Sequence, residues 1–244
     1  MAYLVAFAQQ DDLESVQKNS PETWRRVRRY NLPVQLALAA AEKVMHSSED
    51  PAATSVISLA PCQPGSAELY RWGDIVAAGM ADGSLGDMRM NPTQTLHAVD
   101  NLAMSAFAIT YGNRADCLGL GGAAGQAWCA LEAVLERIKR GAEEVILMAG
   151  DQDSTDESAT GHGLALLFAR RSRPYGNRGR IIRLIGIERE LLDRDIPVVP
   201  HSARGLSDLF STALKQPPGW LCYQAPAAQT DGLSSVTVTM EISS

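Results

Sequence analysis

Residues 91–151 constrain the fold most strongly, because helix and strand patterns alternate there around one glycine-rich turn. Apolar residues recur at helical spacing after Asn91-Pro92, and Tyr111-Gly112-Asn113 predicts the end of that helix. The short run 115–120 predicts a buried strand. Only small residues occupy positions 121–125, which predicts a sharp turn before the next helix.

A second helix and a central strand complete this unit. Residues 126–139 carry an apolar stripe, and Gly141 predicts the end of that helix. The stripe consists of Trp128, Leu131, Val134, Leu135 and Ile138. The apolar run 144–150 predicts a central strand. We call the glycine-rich turn at residues 121–125 the elbow. A strand, this elbow, a helix and a second strand in this order predict a βαβ unit and therefore an α/β fold.

This unit resembles the nucleophile region of the β-ketoacyl synthases of the thiolase superfamily. The family pattern has the form G-P-S-L-T-V-S-T-A-C-x-S-G, and residues 113–125 match it in length. Two later landmarks, I-R-x-G and A-G-G, are similar to residues 138–141 and 149–151. Two family strands, G-E-G-x-x-x-L-x-L and R-G-x-x-I-x-A-x-x-x-G, are similar to residues 161–168 and 178–186. The resemblance covers roughly residues 36–186 and implies a thiolase-like layered α/β/α fold.

The remaining segments predict one domain with an abbreviated second half. Before the unit, residues 36–45, 54–60 and 68–78 predict a helix, a strand and a helix, as an α/β layered fold requires. After Gly186 the sequence predicts a helix over 206–215 and short strands over 220–223 and 236–242, with a Pro/Ala-rich loop between these strands. We therefore expect a single domain over residues 1–244. Its first half would be complete to about residue 186, and its reduced second half would form a lid over the first.

The departures from the family pattern concern the nucleophile. In the matched frame the catalytic cysteine falls at Gly122, or at Ala124 if two residues are inserted. Neither residue can form a thioester, whereas a condensing enzyme requires a thiolate. The neighbouring Cys117 and Cys129 fall in the predicted strand and helix, and we expect both to be buried structural cysteines.

The histidines that the resemblance implies are also missing. The family places them in G-T-x-T and K-x-x-x-G-H-T patterns, and neither pattern occurs in this chain. His201 is the only candidate relic of the second histidine. His97 lies in the helix beginning at Thr93, and His46 and His162 are predicted to be ordinary structural residues. No Cys, His and Asp cluster has metal-ligand spacing, so we expect neither a metal nor another cofactor.

Composition restricts the partners and the location. The chain has 244 residues, 45% hydrophobic and 20% charged, which is typical of a globular protein. Its apolar runs are shorter than the roughly 20 residues that cross a bilayer, and its start lacks a basic leader. Four cysteines without paired spacing indicate a reducing compartment, so we expect a cytoplasmic protein. A net charge of -6 argues against nucleic acid binding.

Two basic islands, residues 24–30 and 169–173, interrupt this acidic chain. The resemblance implies an acyl carrier protein as partner, and such proteins are strongly acidic helical bundles. The islands could steer a carrier protein, or they could simply be solvated faces. The carrier could also dock on a catalytic partner instead.

A truncated synthase without its cysteine resembles a chain length factor, the silent subunit of a type II polyketide ketosynthase heterodimer. More narrowly, it resembles the short versions associated with aryl polyene and other highly reduced polyene pathways. The resemblance implies that the nucleophile-region strand packs antiparallel against the same strand of the ketosynthase. That strand comprises Ala115, Asp116, Cys117, Leu118, Gly119, Leu120 and Gly121.

The helix predicted over residues 93–109 aligns with the segment that lines the end of the acyl tunnel in larger chain length factors. Leu96, Val99, Asp100 and Ala103 follow i, i+3, i+4 and i+7 spacing, so they would form one stripe facing the tunnel. Plain core packing would explain the same residues equally well.

Two other functions stay open at this point. The chain could be a stand-alone thiolase-like acyltransferase or hydrolase that uses Cys117, Cys129 or a serine. It could also be a homodimeric, non-catalytic binder of acyl carrier protein. Acyl labelling of the chain alone separates the first from a silent subunit, and purification without a partner separates the second, because an unpaired heterodimer subunit would expose a large apolar interface.

Overall fold

The computed structural model describes residues 1–60, 67–83, 101–121, 126–152, 160–173, 180–191, 202–229 and 232–243. The strands in these ranges are β1 (Ala2–Gln10), β2 (Ser55–Leu59), β3 (Cys117–Leu120), β4 (Glu144–Gln152), β5 (Gly161–Ala169), β6 (Ile181–Leu191), β7 (Gly219–Gln229) and β8 (Gly232–Ser243). The helices are α1 (Leu13–Asn19), α2 (Pro21–Val27), α3 (Leu32–Met45), α4 (Ala67–Asp82), α5 (Leu102–Tyr111), α6 (Gln126–Lys139) and α7 (Ser202–Lys215).

All eight strands join one mixed sheet in the order β3-β2-β4-β5-β1-β6-β8-β7. Strand β2 runs parallel to both β3 and β4. The other neighbouring pairs are antiparallel. The two edges of the sheet are therefore β3 and β7.

Helices cover both faces of the sheet, which confirms the predicted α/β/α layering. Side chains of β4 and β5 alternate between the two sides, as strand geometry requires. Leu147 and Leu166 join α6 and α7 in one buried cluster. Ile146 and Leu167 join α3 and α5 in the other.

Helix α3 lies unusually close to the sheet because glycines face it. A methyl group at Gly163 would lie 2.4 Å from the backbone carbonyl atoms of Leu36, and one at Gly150 would lie 2.0 Å from the oxygen of Pro33. The Asn31 side chain caps the helix by accepting a hydrogen bond from the backbone N–H of Val34 at 3.4 Å. The glycines of β4 and β5 thus allow α3 to pack directly against these two strands.

Several predicted elements are confirmed with small changes of boundary. The predicted helix over residues 126–139 is α6, and the predicted strands over 54–60, 144–150 and 161–168 are β2, β4 and β5. Gly112 and Gly141 follow α5 and α6 with φ of 59° and 108°, as helix-ending glycines do. The helix predicted from Thr93 is described only from Leu102, because residues 84–100 lie outside the described ranges.

Four features differ from the prediction. The strand over 115–120 was predicted to be buried, but β3 is an edge strand with exposed and half-buried residues. Strand β1 has no counterpart in the prediction, although it lies between β5 and β6. The Pro/Ala-rich segment is part of β7 rather than a loop, and an edge strand tolerates its proline. Strands β6, β8 and β7 extend the sheet sideways, and α7, the one helix described after Gly186, packs on the first half in the cluster that includes Leu166.

Candidate functional site

The carboxyl ends of β2, β3 and β4 meet at one end of the sheet, where α/β proteins commonly bind ligands. Leu59 is paired with Leu120 on one side and with Ala149 on the other. The glycine-rich elbow follows β3 at this end. Gly122 and Ala124, the positions matched to the family nucleophile, lie outside the described residues.

The described residues at the two ends of the elbow supply no nucleophile. Gly121 is its first residue, and Gln126 begins α6 directly after it. The Gln126 Oε1 atom lies 3.5 Å from the position that a methyl group at Gly121 would take. It is buried and has no hydrogen-bond partner among the described residues. A carboxamide is neither a nucleophile nor a general base at neutral pH, so this side chain cannot replace a catalytic cysteine.

Among the described strands, β3 has a neighbour on one side only. The backbone N–H groups of Val56 and Ala60 donate to the carbonyl oxygens of Asp116 and Leu120, at 2.9 and 3.0 Å. Because successive residues of a strand direct their backbone groups to opposite sides, those of Cys117 and Gly119 point away from β2. The open edge can therefore accept a further strand.

The predicted burial of Cys117 is wrong, because this residue begins the edge strand and is exposed. Its sulfur lies 3.7 Å from Asn113 Oδ1 and 3.6 Å from the carbonyl oxygen of Ala115. Partial burial raises the pKa of the Cys117 thiol, Arg137 lowers it and Asp116 raises it, and the net shift is upward. The thiol is therefore accessible but not activated.

Two other cysteines lie in the described residues. Cys129 is half-buried on α6, against the prediction of full burial, and Cys222 is an exposed thiol on the edge strand β7. Cys62 lies outside the described residues. No described thiol lies at the elbow itself.

The two described histidines, His46 and His162, lie in positions that fit a structural role. His46 follows α3 and is exposed. His162 is 7% exposed, and its Nδ1 pairs with Asp11 Oδ1. Its Nε2 is buried and has no partner in the part of the chain that the structure describes. The sequence did not indicate this pair, because Asp11 reaches His162 only through the antiparallel pairing of β1 with β5. His97 and His201 lie outside the described residues.

Asp151 fixes the start of α7 at the same end of the sheet. Its buried Oδ2 accepts a hydrogen bond from the backbone N–H of Ala203 at 2.8 Å. A carboxylate at a helix N-terminus also stabilises the helix dipole. The end of β4 thus holds the first turn of the helix that follows His201 in the chain.

The predicted tunnel stripe is described at one position only. Leu96, Val99 and Asp100 lie outside the described residues. Ala103 is buried on α5 and belongs to the core cluster on the α3 side. That position agrees with the core-packing alternative, and the tunnel role stays a prediction.

Within the described ranges, no three His, Cys, Asp or Glu side chains are grouped so that they could hold a metal ion. In the same ranges, no helix is both long enough and apolar enough to cross a bilayer.

Comparisons with known proteins give similarity at the level of structure. No protein-family model matches the chain, and no curated protein sequence matches it. Among solved structures, a complex of the ketosynthase ApeO with its chain length factor ApeC from Xenorhabdus doucetiae matches with a TM-score of 0.61 and 12% identity, over 97% of this chain and 99% of that chain. The ishigamide ketosynthase/chain length factor matches with a TM-score of 0.67 and 11% identity, over 100% and 99%.

A third match is AntDE:AntF, a type II polyketide synthase acyl-carrier protein in complex with its ketosynthase, with a TM-score of 0.63 and 12% identity over 99% of both chains. The 3-oxoacyl-[acyl-carrier-protein] synthase III of Aquifex aeolicus VF5 matches with a TM-score of 0.52 and 11% identity, over 99% and 100%. The chain therefore has the thiolase-like α/β fold that these ketosynthase structures share.

Proposed function

We propose that this chain is a non-catalytic chain length factor. It pairs with a catalytic ketosynthase and shapes the acyl tunnel in which a polyketide or polyene grows on an acyl carrier protein. It belongs to the short type associated with aryl polyenes and other highly reduced polyenes. The single sheet that includes residues from Ala2 to Ser243 supports a one-domain organisation.

One observation carries the proposal: a ketosynthase-like fold has no cysteine in its elbow. The sequence there is Gly121-Gly122-Ala123-Ala124-Gly125, and none of these residues can hold an acyl chain as a thioester. The exposed Cys117 does not compensate, because it begins β3 and its pKa is raised. The thiolate and the histidines would come from the partner.

The open edge of β3 is the proposed interface with the ketosynthase. Residues 115–121 would pair antiparallel with the matching strand of the partner. The outward backbone groups of Cys117 and Gly119 would form the new hydrogen bonds. Such pairing also removes an exposed sheet edge, which a lone subunit would leave open to aggregation.

The first test is assembly and activity. The chain is expressed alone and together with a type II ketosynthase, and both preparations are examined by size exclusion and by condensation from malonyl carrier protein. We expect a co-purifying heterodimer that condenses and a lone chain that does not. Condensation or acylation by the lone chain would support a stand-alone enzyme instead, and a stable homodimer without ketosynthase would support a separate carrier binder.

The second test compares the two edges of the sheet. Cys117 and Cys222 are both exposed thiols on edge strands, β3 and β7. A charged side chain on an edge strand opposes pairing with another strand, so Cys117→Lys should prevent co-purification with the ketosynthase. Cys222→Lys is the matched control and should leave the complex intact. Unchanged assembly with Cys117→Lys would place the interface elsewhere.

A further inference from the structure

A cavity of about 430 Å³, the β3–α6 cavity, lies between the edge strand β3 and helix α6. Asp116 and Leu118 line it on the strand side. Arg137 and Arg140 line it on the helix side. Alternate side chains of a strand lie on the same face of its sheet, so Asp116 and Leu118 both point toward α6. A strand that paired with the open edge of β3 would therefore place alternate side chains directly beside this cavity.

Arg137 carries a charge that the described part of the chain pairs only loosely. Its side chain is 18% exposed, and its Nη1 atom is buried without a hydrogen-bond partner among the described residues. The Oδ2 atom of Asp116 lies 3.5 Å from this Nη1, but the Asp116 side chain itself is 90% exposed. A charge-assisted hydrogen bond from nitrogen to oxygen is normally about 2.7 to 2.9 Å long. The guanidinium therefore lacks the close hydrogen bonds that usually compensate a buried charge for its lost hydration.

Glu136 and Arg140, which also line the cavity, neutralise each other. The Nε atom of Arg140 donates a hydrogen bond to Glu136 Oε1 at 2.8 Å, and both side chains are exposed. The other lining residues are small or apolar, namely Ser55, Ala115, Leu118, Ala133 and Ala142. The cavity thus combines a largely apolar wall with one guanidinium, that of Arg137, that can still donate hydrogen bonds. A carboxylate matches such a guanidinium, because its two oxygens can accept two parallel N–H bonds.

We propose that Arg137 binds a carboxylate side chain of the strand that pairs with β3, and that the β3–α6 cavity selects this strand by its charge. The incoming carboxylate replaces the distant, exposed carboxylate of Asp116 and gives the buried Nη1 atom the hydrogen bond that it lacks. Backbone pairing along an edge strand accepts many sequences, whereas a pocket for an alternate side chain gives specificity. This inference rests on the proposed function for the ketosynthase as the source of the strand. The cavity and its charge are properties of this chain alone.

The first test measures the dissociation constant of the heterodimer. Arg137→Gln should raise this constant about thirtyfold or more, because the carboxylate of the partner would then be buried without an opposite charge. Lys139→Gln is the matched control, since Lys139 is exposed on the same helix and does not line the cavity. It removes the same charge and should change the constant less than about threefold. Equal changes would reduce the effect to general charge attraction and overturn the inference.

Asp116 gives a prediction of the opposite sign. Asp116→Asn should lower the dissociation constant of the heterodimer about threefold, because this carboxylate no longer competes with that of the partner for Arg137. If the Arg137–Asp116 pair only held the start of β3 in place, Asp116→Asn would weaken assembly as Arg137→Gln does. That result would contradict the recognition of a partner carboxylate.

A cycle of double substitutions locates the carboxylate in the partner. Each Asp or Glu of the ketosynthase strand that pairs with β3 is changed to Asn or Gln, alone and together with Arg137→Gln. One of these changes should weaken assembly about as much as Arg137→Gln does, and the two together should cost little more than either alone. Additive losses at every such position, or a pairing strand without an acidic residue, would overturn the inference.

The lone chain allows a test that does not depend on a ketosynthase. NMR titration measures its affinity for isovalerate and for isovaleramide, which has the same shape without the charge. Isovalerate should bind at least about tenfold more tightly, and Arg137→Gln should remove this difference. Such binding by a chain that pairs with no ketosynthase would refute the proposed function and keep the cavity as a carboxylate site. A functional heterodimer whose assembly is unchanged by Arg137→Gln would refute this inference alone.

Discussion

Glu144 is a buried carboxylate that several groups bind. It is 4% exposed and accepts hydrogen bonds from the hydroxyls of Ser48 at 2.5 Å and Thr54 at 3.2 Å. The backbone N–H of Glu49 also donates to it at 3.2 Å, and Arg173 Nη1 lies 2.8 Å away. Burial raises the pKa of Glu144, but the hydrogen bonds and Arg173 together lower it. The ionised carboxylate therefore joins the start of β4 to the segment after α3.

The stability of the protein should depend on the charge of Glu144. A group whose pKa is lowered by folding stabilises the fold above its unfolded pKa of about 4.3, and this contribution is lost as the pH falls through the folded pKa. We expect Glu144→Gln to lower the free energy of unfolding by about 2 kcal/mol at neutral pH, with a smaller difference in acid. Urea unfolding at a series of pH values measures both.

Glu143→Gln is the control for this prediction. Glu143 is the exposed neighbour of Glu144 and pairs with Arg170 at the surface, so its substitution should change the free energy of unfolding by less than about 1 kcal/mol. Equal effects of the two substitutions, or a Glu144→Gln effect that does not shrink in acid, would contradict a stabilising role of the buried charge.

At the scale of elements, the contact of α3 with β5 depends on missing side chains. A methyl group at Gly163 would meet the rigid backbone of Leu36, whereas one at Gly186 of β6 would meet no atom within 4 Å. Gly163→Ala should therefore lower the free energy of unfolding by about 3 kcal/mol or more, because a backbone clash cannot be relieved by a rotamer change. Gly186→Ala should be nearly neutral. Chemical denaturation of both variants measures the difference, and similar values would show that α3 can shift away from the sheet.

The prediction about product length concerns Ala103 on helix α5. If the stripe that includes Ala103 closes the tunnel, Ala103→Phe should shorten the product of the heterodimer while the complex still assembles. The added ring costs about 1 to 3 kcal/mol of strain in a packed site. Mass analysis of the products made by the wild-type and variant complexes measures the chain length.

Ala108→Phe provides the control on the same helix. Ala108 is half-buried and lies five residues after Ala103, on a different side of the helix from the predicted stripe, so its substitution should add bulk without shortening the product. An unchanged product distribution with Ala103→Phe would leave this helix as ordinary core, and shortening by both substitutions would point to a general loosening of the subunit.

Across the whole molecule, the helices and strands that the sequence predicted are those that depend on a local pattern of residues. Helix α6 and strand β4 follow from periodicity and from Gly141, so both were predicted almost to the residue. Strand β1 could not be predicted in this way, because its neighbours are far along the chain: Tyr3 is paired with Ala169. The exposure of Cys117 depends on the place of β3 at the sheet edge, which no local pattern of residues encodes.

In the candidate site, too, local features could be predicted from the sequence, whereas contacts between distant elements could not. The absence of a cysteine at the elbow can be seen in the sequence. The Asp11–His162 pair arises only when distant elements become neighbours.

The central claim is that this subunit carries no acyl chain while its partner does. Intact-mass measurement of the co-purified heterodimer, after incubation with an acyl donor, tests it most directly. We predict an acyl adduct on the ketosynthase and an unmodified mass for this chain. An adduct on this chain, at Cys117, Cys129 or any other residue, would show that it is an enzyme in its own right and contradict the proposed function.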